Sequence, residues 1–282
     1  MDLDNLQDEM LAKIIESRSY KVAYEDLEFL NREELRPVRL QLELLKPQLA
    51  LQEHAIRSTI VVFGSTRIVS SEVASANLAE AQMAAALRPG DSEAARRVSV
   101  AERILAKSKY YAEAREFGRI VSATCQINHK CDYVIITGGG PGIMEASNRG
   151  AWEAGGKSIG LNITLPHEQA PNPYITPDLC FQFHYFAIRK MHFLIRAKAM
   201  VAFPGGYGTC DELFETLTLI QTRKVKPFPV LLFGEEYWRR IVNFQYMVDE
   251  GTIDPEDLSL FHYVEKAADA WRIITDFYGG EL

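Results

Sequence analysis

Glycine-rich turns that follow apolar segments are the first chemical feature of this 282-residue sequence. Three of them are Phe63-Gly64-Ser65-Thr66-Arg67, Thr137-Gly138-Gly139-Gly140-Pro141-Gly142 and Pro204-Gly205-Gly206-Tyr207-Gly208-Thr209. Glycine lets backbone N–H groups approach an anion closely, and the amino end of a following helix adds partial positive charge. One such turn is weak evidence, because a tight turn is often purely structural. Three turns in one predicted sheet favour a site for a small phosphate-bearing ligand.

These turns lack the signatures of two common nucleotide sites. The sequence contains no GxxxxGK[ST], so a Walker-type triphosphate site is not expected. The second turn also departs from GxGxxG, because its sixth position is Ile143 and no acidic residue clearly serves a dinucleotide ribose. The phosphate-bearing ligand is therefore expected to bind in another way.

Charged side chains lie close to the turns in the sequence. Glu212 falls in the first turn of a helix predicted over 209–222, beside the third glycine turn. A carboxylate at that place can act in catalysis or simply stabilise the helix dipole. The pair Arg189-Lys190 lies on a helix predicted over 184–198. Two adjacent cations are by default a solvated surface pair, so spacing alone leaves their role open.

The apolar pattern of these two helices predicts which side chains face the core. In the first helix, the buried stripe is expected to be Ala187, Met191, Leu194 and Ile195. In the second, the buried residues are expected to be Leu213, Phe214, Leu217 and Ile220. Both patterns place the charged residues elsewhere on the helix circumference, where a ligand or a partner would reach them.

Short β-branched segments alternate with helical patterns from residue 58 onward. The candidate strands are Thr59–Phe63, Tyr133–Thr137, Ser158–Ile163, Phe181–Phe183, Met200–Phe203 and Pro229–Phe233, and a further helix is expected over 143–154. Several strands are continuously apolar, as is typical of parallel strands buried on both faces. The alternation predicts an α/β fold with a doubly wound, Rossmann-like and mostly parallel sheet. Its ligand crevice would lie at the carboxyl ends of the strands.

Two further segments differ from this pattern. Residues 1–57 are charged, leucine-rich and free of glycine, which predicts an N-terminal helical arm with breaks at Pro37 and Pro47. Residues 71–117 are rich in alanine, glutamate and arginine, which predicts a helical insertion. Its two helices are expected over about 71–87 and 92–117, separated by Arg88-Pro89-Gly90-Asp91. The main domain is therefore expected to span 58–282.

Composition excludes several classes of protein. The net charge of −7 argues against a nucleic-acid binder, because phosphate neutralisation needs a basic face. No charge-free stretch approaches the roughly 18 residues of a membrane span, and the acidic first ten residues do not resemble a signal peptide. The four cysteines form no CxxC pair and the six histidines no HxxxH motif, so no metal site is expected. We therefore expect a reduced, cytoplasmic protein that binds neither membrane nor nucleic acid.

Taken together, the motifs resemble the LOG (Lonely Guy) family. The residues that carry the resemblance are Gly138–Gly142 with Met144-Glu145-Ala146, Arg189-Lys190, and the run from Pro204 to Glu212, which fills every fixed place of PGGxGTxxE. The resemblance covers roughly 58–235. Family members are cytokinin riboside 5′-monophosphate phosphoribohydrolases and related bacterial nucleotide nucleosidases, long mislabelled lysine decarboxylases. The arm and the insertion resemble the longer bacterial members.

The resemblance implies a hydrolase that cleaves the N-glycosidic bond of a nucleoside 5′-monophosphate, AMP-like or a cytokinin riboside 5′-monophosphate. Glu212 and Arg189 match the family's catalytic residues. Gly205, Gly206, Gly208 and Thr209 match its 5′-phosphate cradle, Gly139, Gly140 and Gly142 match the other nucleotide-binding turn, and Ser65, Asn162 and Lys190 complete the expected substrate-binding set. It also implies no cofactor, no metal, and a homodimer or dimer-based oligomer with the site at a two-fold interface. Cys210 stands where leucine is usual.

Two alternatives remain open. Molybdenum-cofactor carrier proteins resemble the same fold, which allows a non-enzymatic carrier or sensor of a phosphate-bearing cofactor. The presence of both Arg189 and Glu212 argues against it. A true lysine decarboxylase would need a lysine that forms a Schiff base with pyridoxal phosphate, and no strand-end lysine near the glycine turns presents itself.

Overall fold

The computed structural model describes residues 3–126, 131–164 and 170–280, and the chain divides into two compact units, 1–46 and 47–282. The composition of the sequence placed this boundary later, after residue 57. Within the described ranges, every helix is too short or too polar to cross a bilayer.

The first unit is helical, as the composition of the arm predicts. It contains helices α1 (Leu3–Glu16) and α2 (Leu27–Leu30), and the start of α3 (Arg36–Glu53), which ends in the second unit. Asp26 caps α2 by accepting hydrogen bonds from the N–H groups of Glu28 and Phe29.

Helix α3 corrects one expectation about this segment. It runs without interruption through both Pro37 and Pro47, so the predicted breaks are wrong. Pro37 is the second helical residue, where its missing N–H costs nothing, because that group would have no partner inside the helix. Pro47 lies in the interior, but Pro47 and Leu51 are both buried, and their packing compensates for the lost hydrogen bond.

The second unit is built on a seven-stranded sheet in which every strand pair is parallel. The strands are β1 (Thr59–Phe63), β2 (Val134–Thr137), β3 (Ser158–Ile163), β4 (Cys180–Phe183), β5 (Ala197–Ala202), β6 (Val230–Phe233) and β7 (Phe261–Val264). Their order in the sheet is β4-β3-β2-β1-β5-β6-β7. The predicted α/β fold with a doubly wound parallel sheet is therefore confirmed.

Helices cover both faces of this sheet. They are α4 (Ser71–Ala86), α5 (Ser92–Cys125), α6 (Ile143–Glu153), α7 (Phe186–Ile195), α8 (Tyr207–Gln221), α9 (Glu235–Ile241), α10 (Phe244–Asp249) and α11 (Ala267–Phe277). The first two are the predicted insertion, and α5 continues eight residues past the predicted end at 117. The Asp91 side chain caps α5 by accepting hydrogen bonds from the N–H groups of Glu93 and Ala94.

Strand β1 shows how the two faces are filled. All five of its residues are buried, and their side chains alternate between the faces. Val61 and Phe63 belong to the core layer that also contains residues of α7 and α8, whereas Ile60 and Val62 belong to the layer that contains residues of α5, α6 and α11. The chain builds β1 to β4 in one direction and returns to place β5 beside β1. The two neighbouring carboxyl ends of β1 and β5 are therefore the switch point where ligands bind in such sheets.

Candidate active site

A cavity of about 570 Å³ opens at the carboxyl ends of β1 and β5. Seven of its lining residues belong to the set predicted from the sequence: Ser65, Arg189, Gly205, Gly206, Gly208, Thr209 and Glu212. The described lining does not include the other five, which are Gly139, Gly140, Gly142, Asn162 and Lys190.

Backbone contacts join the three glycine turns. The N–H of Ser65 donates to the carbonyl of Pro204 at 3.0 Å, and the N–H of Ile143 donates to the carbonyl of Ser65 at 3.2 Å. Gly142 has a φ of +71°, and a Cβ there would lie 2.4 Å from the Ser65 carbonyl oxygen. Only glycine fits at this junction, because a side chain would be strained and would separate the turns.

The amino end of α8 forms one wall of the cavity. A Cβ at Gly205 would lie 2.1 Å from Thr209 Oγ1, and the hydroxyl of Tyr237 donates a hydrogen bond to the Gly205 carbonyl. By contrast, a Cβ at Gly206 or Gly208 would meet no described atom within 4 Å. The first N–H groups of a helix have no acceptor within it. These two glycines thus leave open space in front of donors that suit an anion.

Glu212 is buried and titrates abnormally. Its helix begins at Tyr207, so Glu212 lies in the second helical turn rather than the first, and only 6% of the residue is exposed. Burial raises the pKa of its carboxyl to about 7, although the charges of Lys190 and Arg189 act in the opposite direction. The group therefore exchanges a proton near neutral pH while it faces the cavity.

Lys190 is enclosed by carboxylates. Its Nζ lies 2.8 Å from Asp211, 2.9 Å from Glu215 and 4.0 Å from Glu212 Oε2. Burial lowers its pKa, but Asp211 and Glu215 overcome that effect and raise the pKa overall. Lys190 is thus a fixed positive charge behind Glu212, with its own charge mostly compensated.

Arg189 points into the cavity from α7. Its Nε donates to the Leu161 carbonyl at 2.7 Å. A Cβ at Gly138 would lie 2.7 Å from Arg189 Nη2, so the glycine makes room for the guanidinium. Burial lowers the pKa of Arg189 and the charge of Glu212 raises it, yet a guanidinium stays protonated at neutral pH.

The orientation of α7 differs from the predicted one. Met191 and Ile195, which were expected to be buried, are 48% and 47% exposed, whereas His192 and Phe193 are buried. The helix is turned by about one residue relative to its apolar stripe. This rotation brings Arg189 inward to a carbonyl acceptor, which a count of apolar residues does not register.

Amide side chains contact and stabilise the turn after β2. Asn172 Nδ2 donates to the carbonyls of Gly139 and Gly140 at 3.2 and 3.1 Å. Gly139 has a φ of +77°, and a Cβ there would lie 1.9 Å from Asn162 Oδ1. The contacts of Gly139, Gly140 and Asn162 in this structure therefore shape the turn, and their binding of substrate stays a prediction.

The site residues predicted from the sequence did not include several side chains that line the cavity, among them Arg67, Ile104, Lys107 and Tyr237. Ile104 and Lys107 come from the inserted helix α5. Their spacing of three residues places both on one helical face, but nothing in the sequence indicates that this face meets the cavity.

The described ranges contain no group of three or more histidine, cysteine, aspartate or glutamate residues that would hold a metal ion. His129 and His167 lie outside those ranges.

Comparison with known proteins gives three kinds of match. A family model described as "possible lysine decarboxylase" matches residues 144–274. The chain is 28% identical over 152 residues to the probable cytokinin riboside 5′-monophosphate phosphoribohydrolase LOGL5 of Oryza sativa subsp. japonica, covering 53% of this chain and 58% of that protein. It is 38% identical over 68 residues to the cytokinin riboside 5′-monophosphate phosphoribohydrolase LOG7 of Arabidopsis thaliana, covering 24% and 31%. The matches thus span less than two thirds of these relatives.

Among solved structures, the molybdenum cofactor carrier protein of Chlamydomonas reinhardtii aligns with a TM-score of 0.46 and 18% identity, over 79% of this chain and 99% of that one. This similarity is too low to bear on function. The family match includes α7 and α8, which carry Arg189, Lys190 and the complete PGGxGTxxE motif that ends at Glu212. In these residues, and in its match to these relatives, the chain is similar to the LOG family.

Proposed function

We propose that the protein hydrolyses the N-glycosidic bond of a nucleoside 5′-monophosphate to a free base and ribose 5-phosphate. The observation that carries this proposal is a buried carboxyl, Glu212, with a pKa raised to about 7, in the same cavity as the amino end of α8. The curated relatives are named for the same type of reaction on cytokinin riboside 5′-monophosphates.

The phosphate group would bind at the start of α8. Gly206 and Gly208 leave space there, and Thr209 adds a hydroxyl beside the free N–H groups of the helix. Because the phosphate is fixed at this end, the ribose would be directed toward Glu212, which lies in the next helical turn. Binding the remote phosphate thus positions the bond that breaks.

Cleavage of the bond between C1′ and the base passes through an oxocarbenium-like ribose. The ionised carboxylate of Glu212 would stabilise that positive charge electrostatically and accept a proton from the water that attacks C1′. A pKa near 7 suits this task, since the group is then an effective base that is still substantially ionised at neutral pH.

Arg189 has two roles in this proposal. Its charge favours the ionised form of Glu212, and its guanidinium, oriented by the Leu161 carbonyl, is available to the substrate from the cavity wall. Its position next to the departing base would stabilise negative charge that develops there.

The experiment is a panel of nucleoside 5′-monophosphates, including AMP and a cytokinin riboside 5′-monophosphate, assayed for free base. A carrier of a phosphate-bearing cofactor would bind such compounds and release no base. A lysine decarboxylase of the pyridoxal type would show an absorbance band that borohydride bleaches, and would release CO₂ from lysine. Lys107 is the lysine to examine in that case, since it is in the described cavity lining.

We also propose that the protein acts as a homodimer or a dimer-based oligomer. Beside Arg189 and Lys190, α7 exposes Phe186, Met191 and Ile195, each about half accessible. An apolar row of this kind next to a site is typical of a subunit interface. A second copy of the chain across a two-fold axis is the commonest closed arrangement.

A further inference from the structure

Two cations that the proposed chemistry does not use line the same cavity. Arg67 lies in the turn after β1, and Lys107 lies on the inserted helix α5. Both precede residue 144, where the match to the family model begins. Their presence in the cavity is therefore a feature that the family match does not explain.

Neither cation has an acidic partner among the described residues. Lys107 Nζ donates to the carbonyl of Arg103 in its own helix at 3.3 Å, and no described carboxylate lies within 4.0 Å of Arg67 or Lys107. By contrast, Lys109, two residues along the same helix, is paired with Glu265 at 3.7 Å. An uncompensated charge in a cavity is suited to a ligand of opposite charge.

The elements that hold Arg67 and Lys107 both lie near the turn that contains Pro204. Lys107 lies one helical turn before Tyr110, whose hydroxyl would lie 2.6 Å from a Cβ at Gly234, a position that is also 3.4 Å from Pro204 Cγ. Arg67 follows Ser65, whose N–H is bonded to the Pro204 carbonyl. Both cations therefore belong to elements that lie close to the Pro204 turn, immediately before the amino end of α8.

Helix α5, which carries Lys107, is held in place by its packing against α6. A Cβ at Gly118 of this helix would lie 2.2 Å from the Ser147 carbonyl oxygen of α6, so the two helices are in close contact. The hydroxyl of Tyr111 in α5 donates to Glu145 in α6 at 3.0 Å. The face of α5 that carries Ile104 and Lys107 is thus held at the cavity by the packing of α5 against α6.

The charges around the cavity suit an anion. Arg189 is opposed by Glu212, and Lys190 is paired with both Asp211 and Glu215, so these residues together with Arg67 and Lys107 carry a net charge of about +1. A phosphate monoester carries about −1.5 to −2 at pH 7. The amino end of a helix contributes the equivalent of about +0.5.

We propose that Arg67 and Lys107 bind the phosphate monoester of the ligand together with the amino end of α8. The inserted helix is then part of the substrate site and sets its preference for a phosphate monoester over an uncharged sugar or nucleoside. The proposal rests on the proposed function only for the identity of the substrate, because phosphate binding does not require that hydrolysis occurs.

The test is calorimetric titration of the full-length protein with ribose 5-phosphate, with ribose as the uncharged comparison. The variants are Lys107→Met and Arg67→Met, with Lys109→Met as the matched control that removes a lysine from the same helix outside the cavity lining. Charge-assisted hydrogen bonds predict a loss of affinity of about 10- to 100-fold for each cavity variant and no change for Lys109→Met. Lys107→Arg should keep most of the affinity, and thermal unfolding at the wild-type temperature confirms that each variant is folded.

Folded Lys107→Met and Arg67→Met proteins that bind ribose 5-phosphate as tightly as the wild type would overturn the proposal. So would a wild-type protein that binds ribose and ribose 5-phosphate equally. A wild-type protein that binds ribose 5-phosphate through these two residues but releases no base from any nucleotide would support this proposal and contradict the proposed function.

Discussion

Replacing Glu212 with glutamine separates the energetic cost of burying this carboxyl from its proposed use in catalysis. Glutamine has nearly the same size and keeps hydrogen-bonding capacity, but it does not ionise. In the folded protein the pKa of Glu212 is raised from 4.5 to about 7, mainly by burial. A group whose pKa is raised by folding stabilises the protein at low pH, and that contribution is lost as the pH rises through the folded-state value.

The size of the effect follows from the two pKa values. A shift of about 2.5 pKa units, at about 1.36 kcal/mol per unit, makes the ionised carboxylate cost about 3 kcal/mol of folding free energy well above pH 7. At pH 5 most of this cost is absent, because the folded protein keeps Glu212 protonated. The advantage of the glutamine variant should therefore grow by roughly 2 to 3 kcal/mol between pH 5 and pH 8.

The assay is urea unfolding of wild type and Glu212→Gln at both pH values, followed by circular dichroism. Glu215→Gln is the matched control, because Glu215 lies on the same helix and pairs with the same Lys190 at 2.9 Å but is less buried. Turnover of AMP should fall by at least ~10²-fold in Glu212→Gln, the effect of losing one electrostatic stabiliser. A stability difference from wild type that is the same at pH 5 and pH 8 would refute the buried-carboxyl reasoning, and near-normal turnover would remove Glu212 from the mechanism.

Three further predictions concern the surroundings of Glu212, the glycine cradle and the assembly. In the wild type, kcat/KM for AMP should rise with pH through an apparent pKa near 7. The Lys190→Met variant should move that midpoint to higher pH, because it removes a cation 4.0 Å from the Glu212 carboxylate. A midpoint that stays the same or falls in the variant would contradict this. Gly206→Ala should unfold at the wild-type temperature, because its Cβ would meet no described atom. It should raise KM for AMP at least ~10-fold, because that Cβ would occupy the space proposed for the 5′-phosphate. An unchanged KM would show that the phosphate does not bind beside Gly206. Light scattering of the wild type should give a mass near twice 31.9 kDa, or a multiple of that mass. The Met191→Lys variant should give a lower mass. A wild-type mass of 31.9 kDa at micromolar concentration would argue against a dimer.

The sheet and its crevice were predictable because they depend on local patterns. Strand Thr59–Phe63 is buried throughout and apolar from Ile60 onward, and its bounds and those of Ser158–Ile163 agree with the prediction. Glycine turns mark the ends of β1, β2 and β5, so their convergence follows once the strands are parallel. Strand β7 was not predicted, because Phe261–Val264 is a short edge strand that has an exposed histidine and lacks a continuous apolar run.

Tertiary contacts decided the features that the sequence pattern did not indicate. Helix α7 turns Arg189 inward because the Leu161 carbonyl of β3 accepts its hydrogen bond, at the cost of exposing Met191. Helix α3 continues through Pro47 because its buried residues pack in the core. Lys107 reaches the cavity only because α5 packs against α6, a contact between segments far apart in the chain.

Release of base from AMP and from adenosine, measured side by side at equal concentration, tests the proposed reaction most directly. The donors at the start of α8 would be left unpaired by adenosine, and a site built around a polar group rejects analogues that lack it by as much as ~10⁴-fold. We therefore expect adenine and ribose 5-phosphate in equal amounts from AMP, and far slower release from adenosine. Equal rates for the two compounds, or AMP that stays intact, would contradict the proposed function.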